Sequence, residues 1–297
     1  MIIPPYLKKG DTILLIATAR ARSKEQLAPA IKILKSWGLT VEVGVNLYKI
    51  HHQFAGTDEE RAHDLQWAIN HKTAKAILIA GGGYGTLRVI DSVNFKPLLN
   101  YPKWFIGYSD TTVIQSRLTH LNIASIHGTM AFQFSKNKQA TLSIKNLLFN
   151  RSQNYTIVKN SLNRFGKAEG KVVGGNLSIL YALSGSKDDL DTKNKILFIE
   201  DLDEQLYHID RMMLQLKRSG KLSHLKALVV GGMSDMNDNT IPFGKTAEEI
   251  ILDAVKEYNY PVCFNFPAGH IEKNIALYLG KKANLVVEKN KVNLSYL

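Results

Sequence analysis

The segment Lys103-Trp-Phe-Ile-Gly-Tyr-Ser-Asp-Thr-Thr sets Ser109 where an apolar strand gives way to a helix of period 3.6, carried by Val113, Ile114, Arg117, Leu118 and Leu121. A hydroxyl on a tight strand-to-helix turn is exposed for attack, and the helix start offers N–H groups to a developing oxyanion. The same residues suit a plain helix cap, because Ser and Asp at that place accept from first-turn amides. Thr111 also stands where the G-x-S-x-G elbow has its second glycine. One strand earlier, Ala80-Gly-Gly-Gly-Tyr-Gly opens on the same carboxyl edge of a parallel sheet. It is not a dinucleotide fingerprint: counted from Gly81 the motif needs glycine at Thr86, and counted from Gly82 it fails at Tyr84. Its backbone suits an oxyanion hole and a tight turn equally.

Ile196-Leu-Phe-Ile-Glu200 delivers a carboxylate at the end of an apolar strand, where it can orient and stabilise an imidazolium. The cluster of Glu200, Asp201, Asp203 and Glu204 also reads as a Mg²⁺ site or as a solvated loop before the next helix, although it lacks EF-hand spacing. His127 and His270 both follow strands, where a general base for Ser109 would stand, and spacing alone does not choose between them. There is no H-E-x-x-H, and His51-His52 is an isolated pair, so no metal is expected. Gly244-Lys-Thr246 imitates the end of a phosphate-binding loop, but the glycine required five positions earlier is Asn239.

These residues need a scaffold of βα units. Strands are predicted over Thr12–Ala17, Thr40–Val43, Ala74–Ala80, Trp104–Gly107 and Ile123–His127, with helices over Lys24–Trp37, Thr57–Asn70, Leu87–Val93 and Thr111–Leu121. In the second half, strands are predicted over Ile196–Glu200, Ala227–Gly231, Val262–Phe266, Ala276–Leu279 and Leu285–Val287, and helices over Leu206–Ser219 and Thr246–Tyr258. Residues 151–169 are polar and read as a linker between an N-terminal domain, 1–150, and a mixed C-terminal domain, 170–297.

With 297 residues, 45% of them hydrophobic, the chain suits two domains. Its single cysteine, Cys263, closes no internal disulfide, and the N-terminus has no signal-peptide pattern, so a cytoplasmic protein is expected. No apolar segment is long enough to span a bilayer. The net charge of +12 is spread over pairs such as Lys8-Lys9 and Lys281-Lys282 without a nucleic-acid reader motif, so neither nucleic acid nor membrane is expected as a partner.

As an ordered set, these segments resemble the LD-carboxypeptidase family of serine peptidases, the murein tetrapeptide carboxypeptidases, which includes the microcin C self-immunity peptidases. The stretches that carry it are Gly10-Asp-Thr-Ile, Ala55-Gly-Thr-Asp-Glu-Glu-Arg-Ala-His-Asp-Leu65, Gly82-Gly-Tyr-Gly, Gly107-Tyr-Ser-Asp and His127-Gly-Thr-Met. They continue through Gly174-Gly-Asn-Leu, Leu197-Phe-Ile-Glu-Asp-Leu, Tyr207-His-Ile-Asp-Arg-Met and Gly269-His270. The resemblance implies a flavodoxin-like parallel-sheet N-terminal domain and a smaller swivelling β/α C-terminal domain. It implies a triad of Ser109, Glu200 and His270, and an oxyanion hole from the N–H of Asp110 and of Gly82 or Gly83. It further implies release of terminal D-alanine from murein stem peptides during cell-wall recycling, without a cofactor, in a homodimer. Two other functions share the fold: a self-immunity peptidase that cuts a peptidyl nucleotide, and a non-catalytic muropeptide-binding protein. The sequence departs from the family at Gly81, where an arginine is usual, at Thr18-Ala19 in place of Pro-Ser, and at Thr129 in place of proline.

Overall fold

The computed structural model describes residues 1–151, 155, 157 and 160–297. The chain forms two compact units, Met1–Ser152 with Ile275–Tyr278, and Gln153–Asn274 with Leu279–Leu297. The first unit runs β1 (Thr12–Ile16), α1 (Lys24–Ser36), β2 (Thr40–Val43), α2 (Asp58–Asn70), β3 (Ala76–Ile79), α3 (Thr86–Val89), β4 (Trp104–Gly107), α4 (Thr112–His120), β5 (Ser125–His127) and α5 (Lys138–Leu148). The first five strands are parallel and stand in the order 2-1-3-4-5, which is the flavodoxin-like winding. Ala76–Ile79 and Trp104–Gly107 are buried at every position, as expected of central strands covered on both faces. Capping boxes at Ser23 and Thr57 start α1 and α2.

The second unit runs β6 (Gly166–Asn176), α6 (Leu177–Leu183), β7 (Ile196–Leu202), α7 (Leu206–Arg218), β8 (Ala227–Ser234), α8 (Ala247–Ala254) and β9 (Val262–Cys263). After β10 (Leu277–Leu279), which stands beside β5 in the first sheet, come β11 (Lys282–Val287) and β12 (Val292–Tyr296). The second sheet has the order β12-β11-β6-β7-β8-β9, with β6 to β9 parallel and β11 antiparallel to both of its neighbours. A core of Leu180, Leu197, Ile209, Met212, Met213, Leu228, Ile250 and Phe264 packs α6, α7 and α8 on this sheet.

The linker expected over 151–169 lies partly outside the described residues, and positions 166–169 open β6. These polar residues alternate between half-buried and exposed and take their register from β11, Gly166 opposite Val287 through Glu169 opposite Asn284. The chain also re-enters the first unit over Ile275–Tyr278, where Ala276 N–H donates to Ser143 Oγ at 2.8 Å and the Tyr278 hydroxyl to the Leu147 carbonyl at 2.6 Å. Helix α5, which supplies both partners, was not predicted. Its buried face includes Thr141 and Ser143, so the apolar period that would betray it is interrupted.

Gly174 fixes how closely β6 and β7 approach at the carboxyl end. Its φ is +130°, and a Cβ there would fall on the Phe198 carbonyl of β7. Gly174→Ala is therefore expected to cost about 3 kcal/mol or more, from strain and strand displacement together. Urea unfolding measures it, and an unshifted midpoint would contradict this packing.

Candidate active site

Ser109 follows β4 and opens a single 3₁₀ turn, Ser109–Thr111, that leads into α4. Its φ is 60°, in the left-handed region. For a side-chain-bearing residue that costs about 1–2 kcal/mol and persists only where neighbours enforce it. Here the neighbours are specific. Gln115 of α4 reaches back and donates through Nε2 to the carbonyls of Gly107 at 2.9 Å and Ile126 at 3.1 Å, tying the ends of β4 and β5. Gly107 leaves room for Thr111, whose Oγ1 would lie 2.5 Å from a Cβ at that position. The Tyr108 hydroxyl accepts from Gln133 Nε2 at 2.9 Å. A left-handed residue between a parallel strand and a helix is the geometry that turns a hydroxyl outward.

Asp110, buried beside it, accepts the backbone N–H of Thr86 through Oδ2 at 2.9 Å. The carboxyl thereby holds the loop after β3 against the serine turn. Burial pushes this carboxyl up, and the hydrogen bonds from Thr86 and Gly85 with the Arg61 charge only partly oppose it. Arg61 itself is fully buried and secures the same loop from the other side, donating to the carbonyls of Thr18 at 2.6 Å and Gly85 at 2.9 Å while pairing with Asp58. The Thr18 and Thr86 hydroxyls bond at 2.8 Å. A Cβ on Gly82 would stand 3.5 Å from Ser109 Cβ and 3.0 Å from Met130 Cε, so this backbone lies directly on the serine. Gly83 has φ +111° and abuts the Arg20 side chain. Beside Gly81 the space is taken by the guanidinium of Arg22. Sequence reasoning passed over Arg20, Arg22 and Arg61; the signal available for the first two was a pair of arginines right after β1, at the edge where such sheets bind ligands.

In the second unit, Glu200 lies near the end of β7 with no exposed surface. The pairing of β7 with β8 shifts register between Ile199 and Asp201, a bulge that re-aims the intervening side chain. Glu200 Oε2 accepts from His270 twice, from the backbone N–H at 3.0 Å and from ring Nδ1 at 2.7 Å. Gly269 makes this approach possible: its φ is +107°, and a Cβ there would lie 2.7 Å from both Glu200 Cβ and Oε2. The loop is pinned by Ser234 Oγ donating to the His270 carbonyl at 2.6 Å and by Gly269 N–H donating to Asn274 Oδ1 at 2.9 Å. Burial pulls the His270 imidazole down, but the hydrogen bond and charge of Glu200, with the charge of Asp201, outweigh it and hold the ring above the usual histidine value.

His127, the other histidine considered, is buried at the end of β5 with its ring edge-on to Tyr108. The acidic cluster disperses onto separate partners. Asp201 accepts from Asn176 Nδ2 and the Ser178 N–H, both at 2.8 Å, and burial, reinforced by the Glu200 charge, pushes its carboxyl up to about 6. Asp203 accepts from Asn237 Nδ2 at 2.9 Å, and Glu204 meets His208 at 2.6 Å. No three His, Cys, Asp or Glu among the described residues are grouped so as to hold a metal ion.

The fold is that of a two-domain α/β protein, with a serine on a left-handed turn against a glycine loop in the first unit and a buried glutamate–histidine pair in the second. The chain belongs to the LD-carboxypeptidase family: residues 13–128 match the model of the LD-carboxypeptidase N-terminal domain and residues 169–285 that of the C-terminal domain. It is 35% identical over 302 residues to the probable murein peptide carboxypeptidase of Bacillus subtilis, covering 97% of this chain and 93% of that one. It is 26% identical to the murein tetrapeptide carboxypeptidase of Pseudomonas aeruginosa, covering 94% of each. Among solved structures it superposes on the muramoyltetrapeptide carboxypeptidase of Oxalobacter formigenes with a TM-score of 0.87 at 29% identity, covering 96% of this chain and 98% of that one. The microcin C7 self-immunity protein MccF, in complex with aspartyl sulfamoyl adenosine, shares the fold with a TM-score of 0.87 at 20% identity, covering 99% of this chain and 98% of that one.

The glutamate–histidine bond has a readable titration. The folded ring binds its proton more tightly than an unfolded histidine near 6.5, so the bond's contribution to stability is full below 6.5 and is lost as pH rises through the folded pKa. The His270 ring resonances are expected to titrate above 6.5 in the native protein and at a clearly lower pH in Glu200→Gln. Identical midpoints in the two proteins would contradict the coupling.

Proposed function

We propose that this peptidase removes terminal D-alanine from murein tetrapeptides by cutting the L,D amide bond, with Ser109, Glu200 and His270 as its triad. The observation that carries the mechanism is the 2.7 Å bond from His270 Nδ1 to the buried Glu200 carboxylate, because it fixes the tautomer that leaves proton exchange to Nε2. In the proposed reaction His270 Nε2 takes the Ser109 hydroxyl proton as Oγ attacks the scissile carbonyl carbon. The N–H of Asp110 and of Gly82 or Gly83 hold the oxyanion. The tetrahedral adduct collapses as His270 returns the proton to the departing amine of D-alanine, and water, deprotonated by the same ring, hydrolyses the acyl-serine. Glu200 stays ionised throughout and stabilises the imidazolium.

The tetrapeptide reading is supported by the named activities of the B. subtilis and P. aeruginosa relatives, whereas the likeness to MccF, at 20% identity, bears on fold alone. The net charge of +12 favours approach of a stem peptide carrying several carboxylates. We place the activity in the cytoplasm, in a homodimer, on the single cysteine and on the family resemblance. No described helix is long and apolar enough to cross a membrane.

The test is D-alanine release from tetrapeptides matched except for an L,D or D,D terminus, beside an aspartyl-sulfamoyl-adenosine substrate. Cleavage of the L,D peptide is expected, with kcat lowered about 10⁴–10⁶-fold in Ser109→Ala. Because the reaction needs neutral His270, kcat/KM should rise with pH through the imidazole pKa, placed above 6.5 by Glu200. Cleavage of the adenylate alone would favour the self-immunity activity. Cleavage of neither would favour a muropeptide-binding protein.

A further inference from the structure

An exopeptidase has a requirement that no triad satisfies: it must recognise the free carboxylate that ends its substrate. We infer that Arg22, with Arg20 beside it, binds that carboxylate in this enzyme, an assignment that rests on the carboxypeptidase reading above.

The position comes first. In sheets of order 2-1-3-4-5 the ligand crevice opens at the carboxyl ends of β1 and β3, where successive connections leave on opposite faces. Arg20 and Arg22 follow β1, and Gly81–Gly83 follow β3. A Cβ on Gly81 would fall against Arg22 Nε, with Cζ and Nη2 at 3.2 Å, and a Cβ on Gly83 would lie 2.5 Å from Arg20 Cδ. Glycine at both places lets the two side chains lie flat along the loop.

The second observation is an unmet valence. Arg22 Nε is buried and has no hydrogen-bond partner among the described residues. Neither Arg20 nor Arg22 forms an ion pair among the described residues, whereas Arg61 and Arg88 both pair with Asp58. The Arg22 guanidinium carbon instead stands over the Phe132 ring, 4.0 Å from its centroid, with Lys136 over the same ring at 5.4 Å. Phe132 is itself fixed by its N–H donating to the Ala80 carbonyl at 3.1 Å. Burial and the neighbouring Arg20 lower the affinity of Arg22 for its proton, with Tyr108 opposing, so like charge is gathered here without an internal counterion. A planar fork held over an aromatic ring and lacking a protein acceptor is suited to a planar bidentate anion, and a carboxylate is one.

The spacing fits the reaction. Gly81 and Gly82 are consecutive, about 3.8 Å apart at Cα, and one abuts Arg22 while the other abuts Ser109 and Met130. In the substrate, one residue likewise separates the scissile carbonyl from the terminal carboxylate. A peptide longer by one residue would put an uncharged amide where the guanidinium requires an anion, so the cut is confined to the last bond.

The experiment compares a tetrapeptide ending in D-alanine with the same peptide ending in D-alaninamide, on wild type, Arg22→Ala, Arg22→Lys and Gly81→Ala, each checked for a native unfolding transition. Wild type is expected to prefer the acid. Arg22→Ala should lower kcat/KM for the acid about 10²-fold, chiefly through KM, and collapse the acid-to-amide preference. Arg22→Lys should restore only part of it, since a point charge cannot grip both oxygens. Gly81→Ala keeps the arginine but fills its place, and should weaken the preference in the same direction. Its backbone lies outside the left-handed region, so alanine fits it. An Arg22→Ala enzyme that keeps the wild-type preference overturns the assignment while leaving the carboxypeptidase intact. Wild-type protein that cuts neither peptide overturns both.

Discussion

The constraint on which the first unit depends is one residue of left-handed backbone at Ser109. A parallel strand that ended in ordinary helical or extended geometry would direct this side chain into the layers flanking the sheet. The unfavourable conformation is sustained because both sides of the turn are committed elsewhere. Gln115 binds the strand ends below it, and Asp110 is drawn away to the amide of Thr86. The commitment of Asp110 has a second effect, since it brings the loop after β3 over the serine. Arg61 completes the arrangement by donating to the carbonyls of Thr18 and Gly85, the second of which also accepts the Arg88 N–H.

In the second unit the equivalent role belongs to Glu200. A buried carboxylate is costly unless it is charged for a purpose and bonded, and here two donors of one residue, His270, share one of its oxygens. The backbone contact holds the loop to the same carboxylate oxygen that the ring meets. Three local features permit it: the register shift after Ile199, the glycine at 269, and the anchoring of the loop by Ser234 and Asn274. Asp201 next in sequence faces Asn176 and Ser178, so adjacent carboxylates on one strand do different work.

Much of this could be read from the sequence where the signal was local. The runs Thr12–Ile16 and Trp104–Gly107 announced themselves as strands because closely spaced apolar residues in a short span have few other uses, and Thr40–Val43 did so through the alternation and β-branching of Thr-Val-Glu-Val. Ser109 and Glu200 were legible as strand-end groups for the same reason. What could not be read was set by distant pairing. The polar start of β6 is a strand only because β11 lies alongside it; β12, by contrast, pairs locally with β11 across a short turn and was missed although its residues alternate between buried and exposed. Helix α5 was hidden by the serine and threonine that its buried face contains. Spacing alone left His127 and His270 open and the family resemblance pointed to His270, whose contact with Glu200 joins residues 70 positions apart. The vacancy at Gly81 was equally opaque, because the guanidinium that fills it comes from a different loop.

The central claim is that Ser109 is a nucleophile activated by the Glu200–His270 pair. It is tested most directly by the rate and site of covalent labelling with a fluorophosphonate, mapped by mass spectrometry of the digested protein. The expected result is one adduct, on Ser109, formed at least about 10²-fold more slowly in His270→Ala, since a triad loses most of its power when any member is removed. Labelling at another residue, or labelling of Ser109 at an undiminished rate in His270→Ala, would contradict it.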